Sequence, residues 1–523
     1  MCGIFAYLSK KKINLDVLRL NGSRCQYRGP DSTDEKYMKL NDNYLYFMFH
    51  RLAINGLSKE GNQPMCLEHL KKYTLICNGE IYNYKELAEK YDIELTTGSD
   101  CEIIIHLVNL IGIEDTIKQL DGVFSFALIN IKTKQLYIGH DPIGIRALYW
   151  SSNGDNLGIA SELKCLNKLD KDVELFPPGH YCIYDLESGI INLHKYYNFV
   201  YNDVIDNEDN IIKNIKIKLE KAVNKRLMSD RPVGCLLSGG LDSSIVTSIM
   251  AKKVGAKNLA TFSIGLEGSP DLIAAQKVAD YLGTNHTSIT VTIEEMLAGI
   301  ESTIYHIESY DTTTVRASTP MYLLSKYIKK YSDITVILSG EGSDEASGSY
   351  LYFHNAPNKE EFKKETIRLI EDVRYFDVIR CDKTTAGAGL EVRVPFFDKE
   401  FIDYYMGIDP SLKMVRNGME KYLLRKAFED DLPKEIVWRR KEGFSDGVST
   451  KTKTWYEIIQ EHVETIYDEI PKYEHLQPKL KETLWYRQLY DTYFPNCEKV
   501  IPYYWMPKWS GNLDDPSGRL IID

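Results

Sequence analysis

The sequence predicts an α/β protein with more than one domain, and three observations lead to this. The chain has 523 residues, which is more than one hydrophobic core usually supports. Up to about residue 200, short apolar runs are separated by turn-forming dipeptides, whereas beyond it runs of strand and helix length alternate. Hydrophobic residues make up 43% and charged residues 27% of the chain, as in an ordinary globular protein.

The amino-terminal part is typical of antiparallel sheet with some helices. Its strand-length apolar runs cover residues 73–78, 122–131, 135–139 and 157–160. Turn dipeptides such as Asn78-Gly79 and Pro177-Pro178 separate them. Apolar positions alternate with less apolar ones, so we expect sheets packed against each other, each with a buried face.

A domain boundary is expected near residue 200, which divides the chain into residues 1–200 and 201–523. The polar segment 201–210 precedes an amphipathic helical run at 212–227. Strand-like runs then alternate with helical ones, which predicts a parallel sheet with helices on both faces. Beyond about residue 350 the sequence is largely helical in character.

Composition argues against several classes of function. The net charge of −11 and a pI near 5.6 make nucleic acid an unexpected partner. No apolar run approaches membrane-spanning length, and the start of the chain lacks a signal-peptide pattern, so a cytoplasmic protein is expected. The ten cysteines form no C-x-x-C pair, which predicts reduced thiols and no structural zinc.

The strongest chemical signal is the stretch 236–244, LLSGGLDSS, between an apolar strand and an amphipathic helix. Backbone N–H groups at a helix start form an anion site. Gly239 and Gly240 let the main chain approach phosphate oxygens, and Ser238, Ser243 and Ser244 add hydroxyl groups. The stretch lacks the lysine of a Walker loop and the dinucleotide fingerprint. The alternative is a Gly-Ser turn that caps the helix.

A second acidic cluster follows the predicted strand 334–338 and reads SGEGSDE at 339–345. Residues at the carboxyl ends of parallel strands lie where such sheets bind ligands. Asp344 and Asp242 therefore form a candidate Mg²⁺ site, in which phosphates and water supply the remaining ligands. The alternative is a solvated acidic loop.

Cys2 follows the first methionine directly. Once Met1 is removed, Cys2 carries both a thiol and a free α-amine, which together make an N-terminal nucleophile. The alternative is that Cys2 simply begins the buried strand formed by residues 4–8, where small thiols commonly pack.

Several motifs carry resemblances to known families. SGGLDSS resembles the pyrophosphate loop of the ATP pyrophosphatase superfamily, whose members adenylate a substrate. MCGIF, RGPD at 28–31, HRL at 50–52, NGEIYN at 78–83, GSDCE at 98–102 and DPIGIR at 141–146 together resemble the class II glutamine amidotransferase domain. That resemblance implies an αββα N-terminal-nucleophile sandwich. The two domains in this order are similar to those of glutamine-hydrolysing asparagine synthetases.

The resemblance implies roles for the amino-terminal residues in glutamine hydrolysis. Cys2 would attack the amide carbon, and its α-amine would accept the thiol proton. Asn78 and the Gly79 N–H would form the oxyanion hole. The glutamine itself would be bound by Arg51, Asn78, Glu80 and Asp100, with Arg51 on the α-carboxylate and the two acids on the α-ammonium.

The resemblance also implies roles in the second domain, where ATP and aspartate would give β-aspartyl-AMP and ammonia would displace AMP. ATP would be bound by Leu237, Ser238, Gly239, Gly240, Asp242, Ser243, Ser244, Ile264, Ser339 and Gly340. Aspartate would be bound by Thr313, Thr314, Arg316 and Asp377. Lys441 would stabilise the phosphates, Glu341 would act near the ammonia, and Asp242 with Asp344 would hold Mg²⁺. Arg393 and Asp398 are expected to have structural roles.

Two positions depart from the pattern of these families. Ser349 stands where a glycine is more usual before the tyrosine, and Ala147 stands where a proline is usual after Gly-Ile-Arg. Two alternatives remain open: a β-lactam synthetase-like enzyme with another acceptor, and a non-catalytic metabolite-binding scaffold. The expected partners are glutamine, aspartate and ATP, and a homodimer is compatible with the sequence.

Overall fold

The computed structural model describes residues 1–441, 443–450, 453–511 and 513–517. Glu442, part of the basic segment that carries Lys441, lies outside the described residues. The bounds of strands and helices below refer to these ranges.

The amino-terminal part contains mainly strands. In chain order these are β1 (Gly3–Ser9), β2 (Ser32–Leu40), β3 (Asn43–Arg51), β4 (Tyr73–Ile81), β5 (Gly122–Asn130), β6 (Gln135–His140), β7 (Tyr149–Ser152), β8 (Asn156–Ala160), β9 (Val173–Leu175), β10 (His180–Asp185) and β11 (Ile191–Lys195). Its helices are α1 (Leu15–Gly22), α2 (Tyr84–Lys90) and α3 (Glu102–Gln119). The four apolar runs recognised in the sequence coincide with β4, β5, β6 and β8, and only the run at 122–131 extends beyond its strand, by one residue.

Two antiparallel sheets face each other in this part of the described chain. One has the order β2-β3-β1-β8-β7-β9 and the other β11-β10-β6-β5-β4. Ile4 and Phe47 of the first sheet pack against Ile76 and Ile138 of the second in a shared core. Helix α1 covers the outer face of the first sheet, and α3 covers that of the second. The expected αββα arrangement is confirmed.

The second part alternates strands and helices and then becomes helical. Its elements are α4 (Glu208–Lys225), β12 (Val233–Leu236), α5 (Leu241–Val254), β13 (Ala260–Gly265), α6 (Pro270–Leu282), β14 (Asn285–Thr290), α7 (Ile293–Ile307), α8 (Thr312–Tyr331), β15 (Val336–Leu338), α9 (Ser343–Ser347), α10 (Lys359–Asp372), α11 (Asp377–Ala386), β16 (Glu391–Arg393), α12 (Lys399–Gly407), α13 (Pro410–Lys413), α14 (Tyr422–Ala427), α15 (Lys434–Val437), α16 (Phe444–Gly447), α17 (Trp455–Glu464) and α18 (Lys481–Tyr493). The boundary expected near residue 200 falls in the segment between β11 and α4.

The strands of the second part form one parallel sheet in the described residues, with the order β14-β13-β12-β15-β16. The chain runs outward from β12 to β14 and then returns to β15 on the other side of β12. The carboxyl ends of β12 and β15 therefore lie side by side where the strand order reverses, which is where open parallel sheets bind ligands.

The sequence does not predict the edge strand β16, which lies in the region beyond residue 350 that is expected to be largely helical. The strand is only three residues long and has a charged residue at each end, Glu391 and Arg393. It therefore shows no apolar run. Its pairing with β15 and its complete burial, and not its own pattern, make it a strand.

Buried ionic groups join the two parts of the chain. The Asp382 carboxylate accepts from Arg28 at 2.8 Å and lies 3.3 Å from Arg146. Glu162 contacts Arg28 at 2.5 Å and Lys383 at 3.3 Å. All five side chains are buried. In the low dielectric of such an interface each charge depends on its partners, because it cannot be solvated by water.

In the described residues, no helix is both long and apolar enough to cross a membrane.

Replacing Asp382 by Asn should destabilise the protein, because Arg28 and Arg146 then lose the carboxylate that both of them contact. Breaking a buried pair costs about 3–5 kcal/mol, and we expect a loss of that order in the free energy of unfolding by urea. Glu400→Gln is the control, because Glu400 is 43% exposed in its pairs with Lys218 and Lys221 and should cost at most about 1 kcal/mol. Equal losses in the two variants would contradict the structural role of Asp382.

Candidate active site

Cys2 lies just before β1, at the end of the core between the two antiparallel sheets. Its thiol points to the Leu52 carbonyl oxygen at 3.7 Å, and its own carbonyl accepts from Arg28 Nε at 2.9 Å. Burial raises the pKa of the Cys2 thiol to about 11, and the negative charges of Glu391 and Glu80 add to this. In this state the thiol is protonated and needs a base to react.

Met1 is present in this structure and is enclosed at the junction of the two parts. Its thioether sulfur accepts from Arg146 Nη1 at 2.8 Å, and its amine lies 3.8 Å from Glu391. With Met1 in place, the α-nitrogen of Cys2 belongs to a peptide bond.

Asn78 lies on β4 and is completely buried. Side chains alternate between the two faces of a strand, and Ile76 of the same strand packs between the sheets. Asn78 and Glu80 therefore lie on the same face of β4 as Ile76, the face that is turned toward the sheet containing β1. Neither the nitrogen nor the oxygen of the Asn78 amide has a hydrogen-bond partner among the described residues. A buried amide without partners costs free energy, so Asn78 would gain from hydrogen bonds to a ligand or to water.

Gly79 is required by the close approach of β4 to β5. A Cβ atom built at this position would lie 2.1 Å from the Val123 carbonyl oxygen and 2.5 Å from the Phe124 Cα. Any side chain would push the two strands apart and move the neighbouring Asn78. The local sequence Asn78-Gly79 thus belongs to a paired strand and does not form a turn.

Two carboxylates, Glu80 and Asp100, lie near the same end of β4. The Asp100 carboxylate accepts from the Ile81 N–H at 2.6 Å. Burial raises the pKa of Asp100 to about 6, and burial together with the Asp100 charge raises the pKa of Glu80 well above its usual range. Glu80 accepts from Asn55. Burial disfavours the charged forms of both acids, and a bound cation would stabilise them.

Arg51 ends β3 and is buried. Its guanidinium donates to the Ser58 carbonyl at 2.6 Å, to Asn62 Oδ1 at 2.7 Å and to the Gly56 carbonyl. In the described part of the chain, these contacts leave the Nε–H and one Nη2–H without an acceptor. The edge of a guanidinium that carries Nε and Nη2 is suited to a carboxylate.

The two parts of the chain meet directly behind Glu80. Arg393 of β16 approaches Glu80 Oε2 at 3.5 Å and pairs with Glu391 at 2.8 Å. The Arg393 carbonyl accepts from the Ser339 N–H at 3.0 Å, at the start of the acidic segment. The Asp398 carboxylate contacts Arg226 at 2.6 Å and caps α12. Arg393 and Asp398 therefore each form buried ion pairs, as their expected structural roles require, but they do not pair with each other.

The glycine-serine loop lies between β12 and α5, with Gly240 as the N-cap of the helix. Gly239 adopts φ 73°, and a Cβ there would lie 2.4 Å from the backbone of Ala274. The Ser238 and Ser243 hydroxyls are 3.1 Å apart, and Ser244 donates to the Gly240 carbonyl at 2.7 Å. The loop is therefore rigid, and its position at a helix start fits an anion.

A deep cavity opens at the carboxyl ends of β12 and β15 and collects most of the predicted residues of the second domain. Those that line it are Leu237, Ser238, Gly240, Asp242, Ser243, Ile264, Thr313, Arg316, Ser339, Gly340, Glu341, Asp344, Asp377 and Lys441. Three predicted residues do not line it: Gly239, which packs against α6, Ser244, and Thr314, whose hydroxyl donates to Asp311 at 2.8 Å.

Asp242 and Asp344 come together in this cavity around the ammonium of Lys421. The Lys421 Nζ lies 2.5 Å from Asp242 Oδ2 and 2.6 Å from Asp344 Oδ1. The Ser343 hydroxyl donates to Asp242 at 2.7 Å, and the Ser349 hydroxyl donates to Asp344 at 2.5 Å. Despite burial, the ammonium groups of Lys421 and Lys441 hold the pKa of Asp344 well below its usual range. The departure at Ser349 thus adds a hydroxyl that orients Asp344.

The donor set at this point fits Mg²⁺ bound together with a nucleotide. In the described residues, no group of three or more His, Cys, Asp or Glu side chains is arranged to hold a metal ion. Mg²⁺ is usually held by one or two carboxylates together with phosphate oxygens and water, and Asp242 with Asp344 supplies two such carboxylates.

Two further carboxylates of the cavity, Glu341 and Asp377, surround Arg380. The guanidinium contacts Glu341 and Asp377, each at 2.6 Å. Burial raises the pKa of Glu341. Arg316 also lines the cavity, but it is paired with Glu482 and with Asp515, the latter at 2.8 Å. The Thr313 hydroxyl donates to Asp311 at 2.7 Å.

Sequence reasoning missed Lys421 and Arg380. Both lie outside any glycine-rich or acidic motif, and single basic residues on helical segments are common. The backbone of Lys421, with φ 59°, is an unusual feature, but no local pattern in the sequence reports it.

Comparison with known proteins agrees with the two-part organisation. The family described as Glutamine amidotransferase domain matches residues 1–176, and the family described as Asparagine synthase matches residues 214–370 and 356–512. The glutamine-hydrolysing asparagine synthetase of Gallus gallus is 41% identical over 557 residues, which span 100% of this chain and 98% of that protein. The human protein of that name is 40% identical over 556 residues, with the same coverage. A probable glutamine-hydrolysing asparagine synthetase of Acanthamoeba polyphaga mimivirus is 40% identical over 551 residues, spanning 100% of both chains.

The fold and the matches define a glutamine amidotransferase of two parts, in which an antiparallel amidotransferase domain precedes a parallel-sheet domain. Within that class, the chain belongs to the family of glutamine-hydrolysing asparagine synthetases.

The Asp100→Asn variant should be more stable than the wild type, and increasingly so as the pH rises. Burial raises the pKa of Asp100 from 3.8 to about 6, so the folded protein binds this proton more tightly than the unfolded chain. The wild type therefore loses stability between these pH values, and the variant does not. From about pH 5 to about pH 7.5 the advantage of the variant should grow by about 1 kcal/mol.

Urea unfolding at the two pH values measures this difference. Asp16→Asn serves as the control, because Asp16 is 84% exposed. A stability difference for Asp100→Asn that is the same at both pH values would show that Asp100 is not destabilised by burial.

Proposed function

We propose that this protein synthesises L-asparagine from L-aspartate and ATP, with nitrogen from L-glutamine, and releases L-glutamate, AMP and pyrophosphate. Residues 1–200 would hydrolyse glutamine and residues 201–523 would make β-aspartyl-AMP and then the amide. Within the structure, the buried Asn78 amide carries this proposal, since neither its nitrogen nor its oxygen has a partner among the described residues and a ligand amide could supply both. Full-length identity to relatives named for this activity supports the same assignment.

In the first domain, Met1 is removed and the α-amine of Cys2 becomes free. An α-amine with a pKa of about 7.7–8.0 is partly unprotonated near neutral pH, so it can accept the thiol proton. The Cys2 sulfur attacks the side-chain amide carbon of glutamine, and the Asn78 N–H and Gly79 N–H groups stabilise the oxyanion. Collapse of this intermediate releases ammonia and leaves a thioester, which water hydrolyses to glutamate.

Glutamine is oriented by charged side chains that bind its α-carboxylate and its α-ammonium group. The free edge of the Arg51 guanidinium receives the α-carboxylate. Glu80 and Asp100 receive the α-ammonium, which relieves the repulsion and burial that raise the pKa of both acids. The same feature that destabilises the empty site therefore contributes to binding.

In the second domain, the loop at Ser238–Ser243 receives the β- and γ-phosphates of ATP while the aspartate β-carboxylate attacks the α-phosphorus. Lys441 neutralises charge on the phosphates. Mg²⁺ held by Asp242 and Asp344 would neutralise charge on the departing pyrophosphate. Thr313, Arg316 and Asp377 line the side of the cavity where aspartate would lie, and Glu341 would accept a proton as ammonia attacks.

Ammonia passes between the sites inside the protein, since in water it would become ammonium and lose its nucleophilic lone pair. The supporting contact is Arg393, which approaches Glu80 on one side and bonds the backbone of Ser339 on the other. Glu341 follows two residues later. The two proposed sites would then lie on either side of one short strand, β16.

The setting is proposed to be the cytoplasm. All ten cysteines are free, which fits a reducing compartment. The homodimer considered from the sequence stays a prediction.

Cys2→Ala should abolish asparagine formation from glutamine and leave formation from added ammonium intact, because only the nucleophile is lost.

Asn78→Ala should lower the glutamine-dependent rate by about 10²–10³-fold through loss of an oxyanion donor. A coupled assay of pyrophosphate release with aspartate, ATP and either nitrogen source measures both. Loss of the ammonium-dependent rate in Cys2→Ala would contradict the division of labour. If the mass of the active protein shows that Met1 is retained, the α-amine of Cys2 cannot be the base that accepts the thiol proton.

Asp242→Asn should give the opposite pattern. It removes one of the two carboxylates near the phosphate loop, so pyrophosphate release should be lost with either nitrogen source. Hydrolysis of glutamine to glutamate, measured directly, should persist because the Cys2 site is untouched. Full pyrophosphate release by Asp242→Asn would contradict the proposed role of Asp242 in holding Mg²⁺.

A further inference from the structure

Lys421 has an environment that no motif in the sequence suggested. It is 3% exposed and lines the cavity of the second domain. Its ammonium contacts Asp242 and Asp344, the two carboxylates assigned to the divalent cation, at 2.5 Å and 2.6 Å. One positive group thus occupies the oxygens that the cation would use.

The backbone of Lys421, which positions its ammonium between the two carboxylates, adopts an unfavourable conformation. Its φ of 59° and ψ of 29° are left-handed, a conformation that is strained for a residue with a side chain. Arg425 fixes the turn from both sides, because its Nε donates to the Glu420 carbonyl at 2.7 Å and its N–H to the Lys421 carbonyl at 2.9 Å. Strain that is maintained in this way at a ligand cavity points to a function.

Burial limits where the ammonium can go. A buried charge without a partner is far more costly than a paired one, so Lys421 leaves the two carboxylates only when another anion arrives. A divalent cation alone brings no anion. A nucleotide triphosphate with its cation brings both the metal for the carboxylates and the phosphates for the ammonium.

We propose that Lys421 is a nucleotide-positioning residue that blocks the two carboxylates against a free divalent cation and transfers its ammonium to the phosphates when the cation arrives with ATP. The proposal rests on the function proposed above. It predicts that metal and nucleotide enter together, because neither gains its full set of partners without the other.

Lys441 is a natural comparison within the same cavity. It contacts Asp344 but not Asp242, and it is 13% exposed. Lys441 can therefore move toward water without leaving a pair of carboxylates uncompensated. The blocking role belongs to Lys421 because it alone, among the described residues, contacts both acids.

The test uses the full-length protein without nucleotide and Mn²⁺ alone as the probe, with free Mn²⁺ measured by electron paramagnetic resonance. Lys421→Met should bind Mn²⁺ more tightly than the wild type, by on the order of tenfold, because the competing cation is gone. The same variant should bind ATP in the presence of Mn²⁺ about 10–100-fold more weakly, since a charge-assisted hydrogen bond to phosphate is lost. A lysine with only a structural role would weaken both affinities.

Lys413→Met is the matched control. Lys413 is also buried, at 4% exposure, but its ammonium donates to the Tyr405 carbonyl at 3.1 Å. Both affinities should stay at the wild-type values. Circular dichroism and the thermal midpoint check folding, and Lys421→Gln carries the same two expectations if Lys421→Met does not fold.

Mn²⁺ binding by Lys421→Met or Lys421→Gln that is no tighter than in the wild type would overturn the proposal, as would unchanged binding of ATP. Failure of the wild type itself to bind ATP with Mn²⁺ would instead overturn the synthetase function proposed for the second domain. The two failures are therefore distinguished by the wild-type measurement.

Discussion

The organisation of this protein depends on the charges buried where its two parts meet. Asp382 lies between Arg28 and Arg146, and Glu162 contacts both Arg28 and Lys383. Such pairs give little net stability by themselves, but each charge becomes costly if its partner moves away. They favour one relative position of the two domains, because any other position would leave buried charges without partners. The short link from Glu80 through Arg393 to the segment that carries Glu341 depends on that fixed position.

Both candidate sites follow the same physical pattern, in which like charges are confined and a ligand supplies what is missing. In the first, Glu80 and Asp100 are buried with raised pKa values beside the unpartnered amide of Asn78. In the second, acids and bases crowd around the cavity, and Lys421 compensates two acids at once. Confining these charges costs free energy that neutral residues would not cost, and binding of a substrate with the complementary charge recovers part of it.

The sequence predicted the parts of this structure that have a local signature. Period-two apolar runs located β4 and β5, and a glycine-serine loop between a strand and a helix located the cavity at β12. The spacing of the acidic segment after β15 placed Asp344 near Asp242, because adjacent parallel strands bring their carboxyl ends together. Features that depend on packing could not be predicted. The strand β16 has no apolar run, and Lys421 and Arg380 gain their importance only from residues distant in the chain.

The buried charges at the domain junction also determine how the two halves can be studied separately. A fragment ending near residue 200 would present Arg28, Arg146 and Glu162 to solvent without Asp382 and Lys383, and it would lose the wall that Arg393 forms behind Glu80. The complementary fragment would expose the opposite charges. Cutting the chain therefore does not yield two intact half-enzymes, and single substitutions that silence one centre while the whole protein stays assembled are the sounder way to separate the two chemistries.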